Sequence, residues 1–497
     1  MNGLGRDRLR ERHPAPAGRP RAEEGRRVAV IGGGIAGLSA ATTLAERGVA
    51  VDLFERRPYW GGRAGGWTVT LTDGGTTGMS RGFHAFFRQY YTLRALLARA
   101  GAELRPLPDY PLAGPDGRVD TFRGLPRTPP WNAAGFVLRS PTFTVTDLLR
   151  VDPRAALPLL DVTVPGIYRL LDAVDAEEFL ARVRFPEAAR HLAFDVFSRS
   201  FFAPPRRLSA GELALMFHLY FLGSAEGLLF DVPTAPFHQL WPPLADRLAR
   251  LGTVAHPATA VTAVERHGEG FVVHADRAYP ADGVVLALDP AGLRALVDGS
   301  PLGPPEWRER IARQENAPPF LVRRLWLDRP VREDRPAFLA TGGMPPLDNI
   351  SVLDRYDRDA AAWAHRSGGS VVEVHAYAVS EPDGTGDRLL ARLHEVYPET
   401  RRARILDDHA AWRADCPLFA PGTFFGRPGI AGPVPGLALA GDGIRVDLPV
   451  ALMERAAVTG RLAANHLLAG WGVAGHALTT VPTRGRTRAL RALARLG

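Results

Sequence analysis

The chain has 497 residues, which is too many for one simple core, and its 46% apolar content indicates a folded protein of two or three domains. All 61 basic residues are arginine and the formal net charge is +8, but residues 1–27 and 476–497 carry all of this excess and leave the body near neutral. The body therefore lacks the basic groove of a nucleic-acid-binding domain. The single cysteine, Cys416, excludes a disulfide, an iron–sulfur cluster and a cysteine-based zinc site, and no metal site is predicted.

Both ends of the chain are predicted to be tails. Residues 1–26 are rich in Arg, Pro and Gly, which predicts a disordered basic segment, and residues 476–497 form a second basic tail. No apolar run approaches the roughly 18 residues of a membrane span, and no apolar signal segment follows the N-terminal arginines. We therefore expect a cytoplasmic protein.

The first regular elements form a strand–helix–strand unit in "RVAVIGGGIAGLSAATTLAERGVAVDLFE", residues 27–55. The runs "VAVI" and "VAVDLFE" are typical of buried parallel strands, and "LSAATTLAERG" between them predicts a helix that ends at Gly48.

Three glycines between the first strand and the helix predict a dinucleotide site. Gly32 permits a tight turn, Gly34 lets the backbone approach a pyrophosphate, and Gly37 lets the helix pack on the sheet. Ile35 and Ala36 begin the helix, whose N-terminus would face the phosphates with its partial positive charge.

The residues that follow favour FAD over NAD. Glu55 ends the second strand about 20 residues on, where a carboxylate binds ribose hydroxyls. Gly62 allows close backbone approach, and Arg63 beside it can neutralise a diphosphate. Arg56 would suit the 2′-phosphate of NADP, but Glu55 would repel that group.

A late motif supports the same cofactor. In "LALAGDGIRVDLPVALMERAA", Gly441 and Asp442 end a predicted strand, and the carboxylate could bond the ribityl chain. The next helix, expected to begin near Leu448–Pro449, would aim its N-terminus at the pyrimidine end of a flavin.

The chain between these motifs predicts a second domain. Residues 125–245 indicate apolar helices, α/β patterning returns at 246–290, and 300–415 mix strands with a helix. The predicted fold class is α/β with α+β, a Rossmann-type FAD-binding domain interwoven with a substrate-binding domain of mixed sheet and helices. The FAD-binding domain is expected to comprise 27–124, 246–298 and 416–475, and the substrate- and membrane-facing domain 125–245 and 299–415.

Together the motifs resemble the FAD-dependent amine oxidase and phytoene desaturase superfamily. Its members share the glycine motif, the acid after the second strand, a Gly-Gly-Arg element, and a late Gly-Asp followed by a helix with a Met-Glu pair, here Met453 and Glu454. Val261, in "ATAVTAVE", matches the strand whose backbone meets the adenine side. The resemblance spans about residues 27–470 and implies bound FAD.

One loop indicates the substrate. "MSRGFHAFFRQYY", residues 79–91, places Arg81, Gly82 and His84 among five aromatic rings. With "FSRSFFAPPRRLSAGELALMFHLYFLGSAEGLLFDVP" it resembles the actinobacterial isorenieratene synthases, a family of carotenoid enzymes that turn β-ionone rings into aromatic φ rings. The resemblance implies that β-carotene or a related cyclic carotenoid is the substrate, and that this loop lies beside the flavin.

The implied reaction moves one ring methyl group by a 1,2-shift and removes four hydrogens per ring, so it needs a proton acceptor. His84, Glu226 and Asp231 are the candidates, with Arg81 near the flavin. Phe83, Phe86, Phe87 and Tyr90 could stabilise a passing ring cation. In the alternative interpretation His84 and Arg81 hold the loop or the flavin, and the two acids pair with an arginine such as Arg206 or Arg207.

A membrane surface is the expected partner, because carotenes dissolve in bilayers. "TRGRTRALRALARLG" predicts a basic amphipathic helix with Leu490, Leu493 and Leu496 on one side, and "ALMFHLYFLG" an apolar entrance lip. The protein would then lie peripherally on the inner face of the cell membrane. Two other functions stay open: a different carotenoid desaturase or flavin-dependent isomerase, and a carotenoid-binding flavoprotein without catalysis. The electron acceptor and the oligomeric state also stay open.

Overall fold

The structure is a computed structural model that describes residues 6–193, 199–228 and 230–495. Its strands are β1 (Glu11–His13), β2 (Arg27–Ile31), β3 (Ala50–Phe54), β4 (Gly66–Thr70), β5 (Thr76–Ser80), β6 (Phe86–Phe87), β7 (Leu104–Pro106), β8 (Leu112–Ala113), β9 (Val119–Asp120), β10 (Phe230–Pro233), β11 (Thr253–His256), β12 (Ala263–His267), β13 (Gly270–His274), β14 (Ala278–Ala281), β15 (Gly283–Leu286), β16 (Phe320–Leu327), β17 (Phe338–Thr341), β18 (Asn349–Val352), β19 (Ser370–Ala376), β20 (Ile405–Arg413), β21 (Leu437–Leu439) and β22 (Leu478–Thr480). Its helices are α1 (Ile35–Ala45), α2 (Tyr91–Arg99), α3 (Trp131–Arg139), α4 (Val145–Arg150), α5 (Pro153–Ala156), α6 (Gly166–Leu171), α7 (Ala176–Arg182), α8 (Arg190–Ala193), α9 (Ala210–Phe217), α10 (Phe237–Leu240), α11 (Pro242–Arg250), α12 (Pro290–Asp298), α13 (Pro305–Ala312), α14 (Arg358–Ser367), α15 (Thr385–Val396), α16 (Leu452–Gly470) and α17 (Arg488–Ala494).

Five parallel strands form the sheet of the nucleotide-binding half, in the order β11-β3-β2-β15-β21. Their apolar runs suit a parallel sheet covered on both faces. Helix α1 is buried along its whole length and packs against α16 so closely that a Cβ on Gly460 would lie 2.1 Å from the carbonyl oxygen of Ala36. The strand–glycine turn–helix unit predicted at residues 27–55 is confirmed.

A seven-stranded mixed sheet forms the second half, in the order β20-β16-β19-β18-β17-β8-β9. Its neighbouring strands pair antiparallel except β17 with β8. The predicted mixed sheet is therefore confirmed, but the predicted domain boundary at residue 124 is wrong for β8 and β9. Their backbones pair within this sheet, so residues 112–120 already belong to the second half.

Two predictions about helices need correction. The segment "ALMFHLYFLG" continues α9 into a π-helical turn, His218–Leu222, and is buried except for half-buried Phe217, so it is not an exposed entrance lip. Its side chains pack on both sides, against α6 and α3. The helix after Asp442 begins at Leu452 and not near Leu448–Pro449, because the residue before it, Ala451, is still extended with φ −141° and ψ 162°.

The two ends of the chain are joined to each other. β1 pairs antiparallel with β22, and the buried carboxylate of Asp7 accepts from the backbone N–H of Ala225 and forms an ion pair of 2.5 Å with Arg486. The predicted disordered tail is therefore wrong for residues 6–26, whose backbone and acids have fixed partners. The predicted C-terminal tail packs too, since α17 lies against residues 157–160. Residues 1–5, and Leu496 of the predicted amphipathic helix, lie outside the described residues.

Within the described ranges, the structure has no helix that is both long enough and apolar enough to cross a membrane.

Candidate functional site

One large cavity of about 560 Å³ is lined by residues from both sheets. The ends of β2 and β3 contribute Ile31 and Phe54, and the seven-stranded sheet contributes Phe320, Phe338 and Asn349. The carboxyl ends of parallel strands are where open α/β sheets bind their ligands, so this cavity is the candidate site.

The glycine turn forms one wall of the cavity. Gly32 has φ +113°, and a Cβ there would lie 2.2 Å from the carbonyl oxygen of Ala287. A Cβ on Gly62 would lie 3.0 Å from the Cα of Gly34, so only glycine lets these two backbones meet. Gly37 does not line the cavity, because its Cα packs directly on Gly32. A Cβ on Gly37 would lie 1.8 Å from the carbonyl oxygen of Gly32.

The N-terminus of α1 opens into the cavity beside this turn. Gly34, Ile35 and Ala36 line it there, where the first backbone N–H groups of a helix lack intrahelical partners.

Glu55 fixes the glycine turn through hydrogen bonds from both of its carboxylate oxygens. Its Oε2 accepts from the backbone N–H of Gly33 at 2.8 Å and its Oε1 accepts from that of Arg57 at 2.9 Å. Arg56 lines the cavity but is half exposed and pairs with Asp289 at 3.3 Å. Val261 also lines the cavity. It was predicted to lie in a strand, but it lies in the connection before β12.

The late motif lines the same cavity as the glycine turn. Asp442 pairs with Arg63 at 2.5 Å, and the backbone N–H of Gly441 donates to the hydroxyl of Thr459 at 2.9 Å. Leu452 and Met453, at the N-terminus of the 19-residue helix α16, line the cavity next to this pair. Two segments about 380 residues apart are thus brought together at the cavity.

These residues fit FAD. The open backbone at Gly34 and Gly62 and the N-terminus of α1 suit a diphosphate, and Glu55 suits ribose hydroxyls. Further in, Arg81 and Asp415 form a buried ion pair, yet Nε of the arginine and Oδ1 of the aspartate have no hydrogen-bond partner among the described residues. Buried polar atoms in this state indicate a polar ligand, such as a flavin ring.

The aromatic loop lines the rest of the cavity. Phe83, Phe87 and Tyr90 face it, together with Tyr110 and Phe230 from neighbouring segments. Phe86 does not: it is fully buried and packs near Phe237, because successive side chains of a strand point to opposite sides. The suggested role of Phe86 beside a ring cation is therefore wrong.

His84 lines the cavity with one nitrogen fixed. Its Nδ1 donates to the carbonyl oxygen of Gly82 at 2.7 Å, which leaves Nε2 as the acceptor of the neutral ring. Burial lowers the pKa of His84 to about 4, so the ring is neutral at physiological pH. Gly82 itself does not line the cavity; its φ of +94° places its Cα against His375.

Glu226 and Asp231 lie outside the cavity among the described residues. Glu226 accepts from the backbone N–H of Asp7 at 2.8 Å, and Asp231 pairs with Arg88 at 3.2 Å and Arg94 at 2.8 Å. The structure thus contradicts a role for either acid as the first proton acceptor. Their suggested partners were also wrong: Arg206 pairs with Glu177 and Arg207 with Glu315.

Several lining residues had no sequence signal. Cys416 lies in the cavity wall, where burial raises the pKa of its thiol to about 11 and keeps it protonated. Asn349 and Tyr377 reach the cavity from β18 and the end of β19. The register of the seven-stranded sheet pairs Asn349 with His375 and so brings Asn349 close to Tyr377, and no local motif encodes that register.

Comparisons with known proteins agree with this site. The family described as flavin containing amine oxidoreductase matches residues 35–468. A Streptomyces griseus protein named carotenoid phi-ring synthase is 58% identical, over 99% of this chain and 97% of the relative. A Chlorobaculum tepidum protein of the same name is 26% identical, over 97% of this chain and 93% of the relative. A solved structure of a putrescine oxidase double mutant shares the fold, with a TM-score of 0.66 at 18% identity over 89% of this chain and 99% of that one.

Proposed function

This chain belongs to the family of flavin-containing amine oxidoreductases, and we propose that it is an FAD-dependent φ-ring synthase that converts the β-ionone rings of β-carotene, or of a related cyclic carotenoid, into aromatic φ rings. The observation that carries the proposal is the continuity of one cavity. The dinucleotide-binding turn and the aromatic loop line the same space, so an apolar ring held by the loop lies beside the cofactor site.

The reaction makes two demands on the protein. A β-ring carries two methyl groups on one carbon, so one must move to the neighbouring carbon, and each ring must lose two hydrides and two protons. Bound FAD supplies a two-electron acceptor for hydride. The protein has to shelter the cationic ring from water and accept the protons.

The aromatic loop meets the first demand. Phe83 stacks on Phe338 with centroids 4.1 Å apart, and Phe87 meets Phe230 edge to face at 5.4 Å. Such packed rings exclude water, and each aromatic face in contact with a cation contributes about 0.5–2 kcal/mol.

His84 meets the second demand for one proton. Its Nε2 carries a lone pair because Nδ1–H is committed to Gly82, and its pKa of about 4 keeps that lone pair free at neutral pH. Arg81 stays paired with Asp415 and so acts as a fixed charge at the flavin, not as a proton donor.

The proposal includes a membrane surface as the source of the carotenoid. On α3, Trp131 and Leu138 are 67% and 82% exposed, two turns apart on one side of the helix. Phe136 of the same helix is buried and stacks at 4.7 Å on Phe122, which lines the cavity. Exposed apolar side chains beside an exposed arginine recur at Leu138–Arg139, Leu149–Arg150 and Arg169–Leu170. That pairing suits an anionic bilayer surface.

The purified protein with β-carotene in lipid vesicles tests the function. We expect a product four hydrogens lighter per converted ring, with an aromatic end group, by chromatography with mass detection. A product of unchanged mass would indicate an isomerase, and conversion of acyclic carotenes alone would indicate a linear-carotene desaturase. Bound β-carotene with no reaction would indicate a carrier.

A further inference from the structure

A line of buried hydrogen bonds leads from the seven-stranded sheet to the cavity. Nη2 of Arg324 donates to Oε2 of Glu373 at 2.6 Å, and Oε1 of Glu373 lies 2.9 Å from Nε2 of His375. Nδ1 of His375 lies 2.6 Å from the hydroxyl oxygen of Tyr377, and Tyr377 is one of the residues that line the cavity. Glu373 and His375 are completely buried, so neither contacts solvent.

The direction of the hydrogen bonds follows from the charge of Glu373. Burial alone would raise its pKa, but Arg324 and His375 hold the pKa at about 2. An ionised carboxylate only accepts, so Nε2 of His375 carries the hydrogen and donates to it. In a neutral imidazole Nδ1 then has the lone pair and accepts from the hydroxyl of Tyr377. The side-chain nitrogen of Asn349 donates to the hydroxyl oxygen of Tyr377 at 3.0 Å and lies 3.1 Å from Nδ1 of His375.

We propose that Tyr377 is a catalytic residue that accepts one of the two ring protons and passes its own proton to His375. The proposal rests on the proposed function. A C–H bond of the ring cation breaks, its electron pair becomes a ring double bond, and the proton bonds to the phenol oxygen. The former hydroxyl proton moves to Nδ1 of His375, and Glu373 stabilises the imidazolium. After product release the proton returns through Tyr377 to the cavity.

The surroundings of Tyr377 favour a relay over a phenolate. Burial raises its pKa well above the usual value of a tyrosine, so the hydroxyl can take a proton only as it gives one up. His375 is held in place from the other side, because a Cβ on Gly82 would lie 2.4 Å from its Cε1. Phe202 meets the Tyr377 ring edge to face at 4.7 Å, and both rings line the cavity. With His84 this gives the cavity two proton acceptors for the two protons that each ring loses.

Tyr377→Phe tests the relay, because it removes the hydroxyl and keeps the ring. We expect kcat for aromatic product to fall about 100-fold or more, within the usual range for a lost general base, with KM and FAD content unchanged. The wild type should show a solvent deuterium isotope effect on kcat that the variant lacks. His375→Gln should lower kcat with the same KM, since His375 positions Tyr377 and accepts its hydroxyl proton. This variant replaces Tyr377→Phe as the test if Tyr377→Phe loses FAD.

The matched control is Tyr397→Phe. Tyr397 is fully buried and its hydroxyl has no hydrogen-bond partner within the described part of the chain, but it lies at the C-terminus of α15 and does not line the cavity. This variant should keep wild-type kcat. If Tyr377→Phe keeps the wild-type kcat, with or without a raised KM, the relay is overturned and the proposed function still stands. Absence of aromatic product from the wild type would overturn the proposed function, and the relay with it.

Discussion

At the scale of single residues, Glu55 links the shape of the cofactor site to its chemistry. Both of its carboxylate oxygens accept from backbone N–H groups, one in the glycine turn and one after β3. The carboxylate therefore fixes the conformation of the turn, and we propose that it also binds the ribose hydroxyls of FAD.

Glu55→Gln should weaken FAD binding. An amide offers one acceptor oxygen where the carboxylate has two, so a hydrogen bond to a charged group is lost, which costs about 1.5–3 kcal/mol, or roughly 10- to 160-fold in Kd. Titration of the FAD-free protein, followed by flavin fluorescence, measures this. Glu269→Gln, on an exposed turn between β12 and β13, is the control and should leave Kd unchanged. Equal affinities for Glu55→Gln and wild type would rule out this role.

His84→Gln should lower kcat by about 100-fold or more, as loss of a general base does, with folding and FAD content intact. Because burial puts the pKa of His84 at about 4, the wild type keeps the basic form at all higher pH and loses it only as pH falls through about 4. The pH profile of kcat should therefore lack a limb near 6.5, the ordinary pKa of histidine. His365→Gln, on an exposed part of α14, serves as the control. A wild-type limb near 6.5 that vanishes in His84→Gln would contradict the buried neutral form.

At the scale of elements, α16 joins the cofactor site to the aromatic loop. Its first residues, Leu452 and Met453, line the cavity. Glu454, the next residue, accepts from the backbone N–H groups of Thr92 and Leu93 in the first turn of α2, at 2.8 and 2.9 Å. The Met-Glu pair was recognised in the sequence only as a family feature. Its function as a cap for another helix depends on packing that no local pattern encodes.

Glu454→Gln should change how stability depends on pH. Burial raises the pKa of Glu454 to about 7, from an ordinary value of 4.5. Between these values the folded protein holds the proton and the unfolded chain releases it, so the free energy of unfolding falls as pH rises. As pH rises from 4.5 to about 7, the free energy of unfolding of the wild type should therefore fall relative to that of Glu454→Gln. Denaturant unfolding of both FAD-saturated proteins across this range measures the difference.

Glu399→Gln gives the opposite sign as a control. Arg335 lowers the pKa of Glu399, so its contribution is present above the ordinary pKa of 4.5 and is lost as pH falls below it. A wild-type minus Glu454→Gln difference that is flat from pH 4.5 to 7 would contradict the raised pKa of Glu454.

At the scale of the whole molecule, the sequence predicted local units well and distant partners poorly. The glycine turn, Glu55 and the Gly441–Asp442 motif were found because each has a fixed spacing within one strand–turn–helix unit. The paired termini were missed because their composition indicates disorder, whereas β1 gains its partner from residues more than 460 positions away. The network behind Tyr377 was missed although Glu373, His375 and Tyr377 follow one another at every second residue, because Arg324 and Asn349 join it only through the register of the sheet.

The orientation of the whole molecule at a membrane gives the last prediction. Trp131 and Leu138 project from α3, whose other side carries Phe136 against the cavity wall. Burying either side chain in a bilayer interface is worth about 1.5–3 kcal/mol, so Trp131→Ser with Leu138→Ser should lower partitioning into anionic vesicles at least about 10-fold. Turnover of detergent-solubilised β-carotene should not change, because neither side chain lines the cavity. Ile405→Ser, 37% exposed on the edge strand β20, controls for general loss of apolar surface and should leave partitioning unchanged. Equal vesicle binding of the double variant and the wild type would place the membrane contact elsewhere on the molecule. A fall for both the double variant and the control would mean that binding follows apolar exposure in general and not this helix.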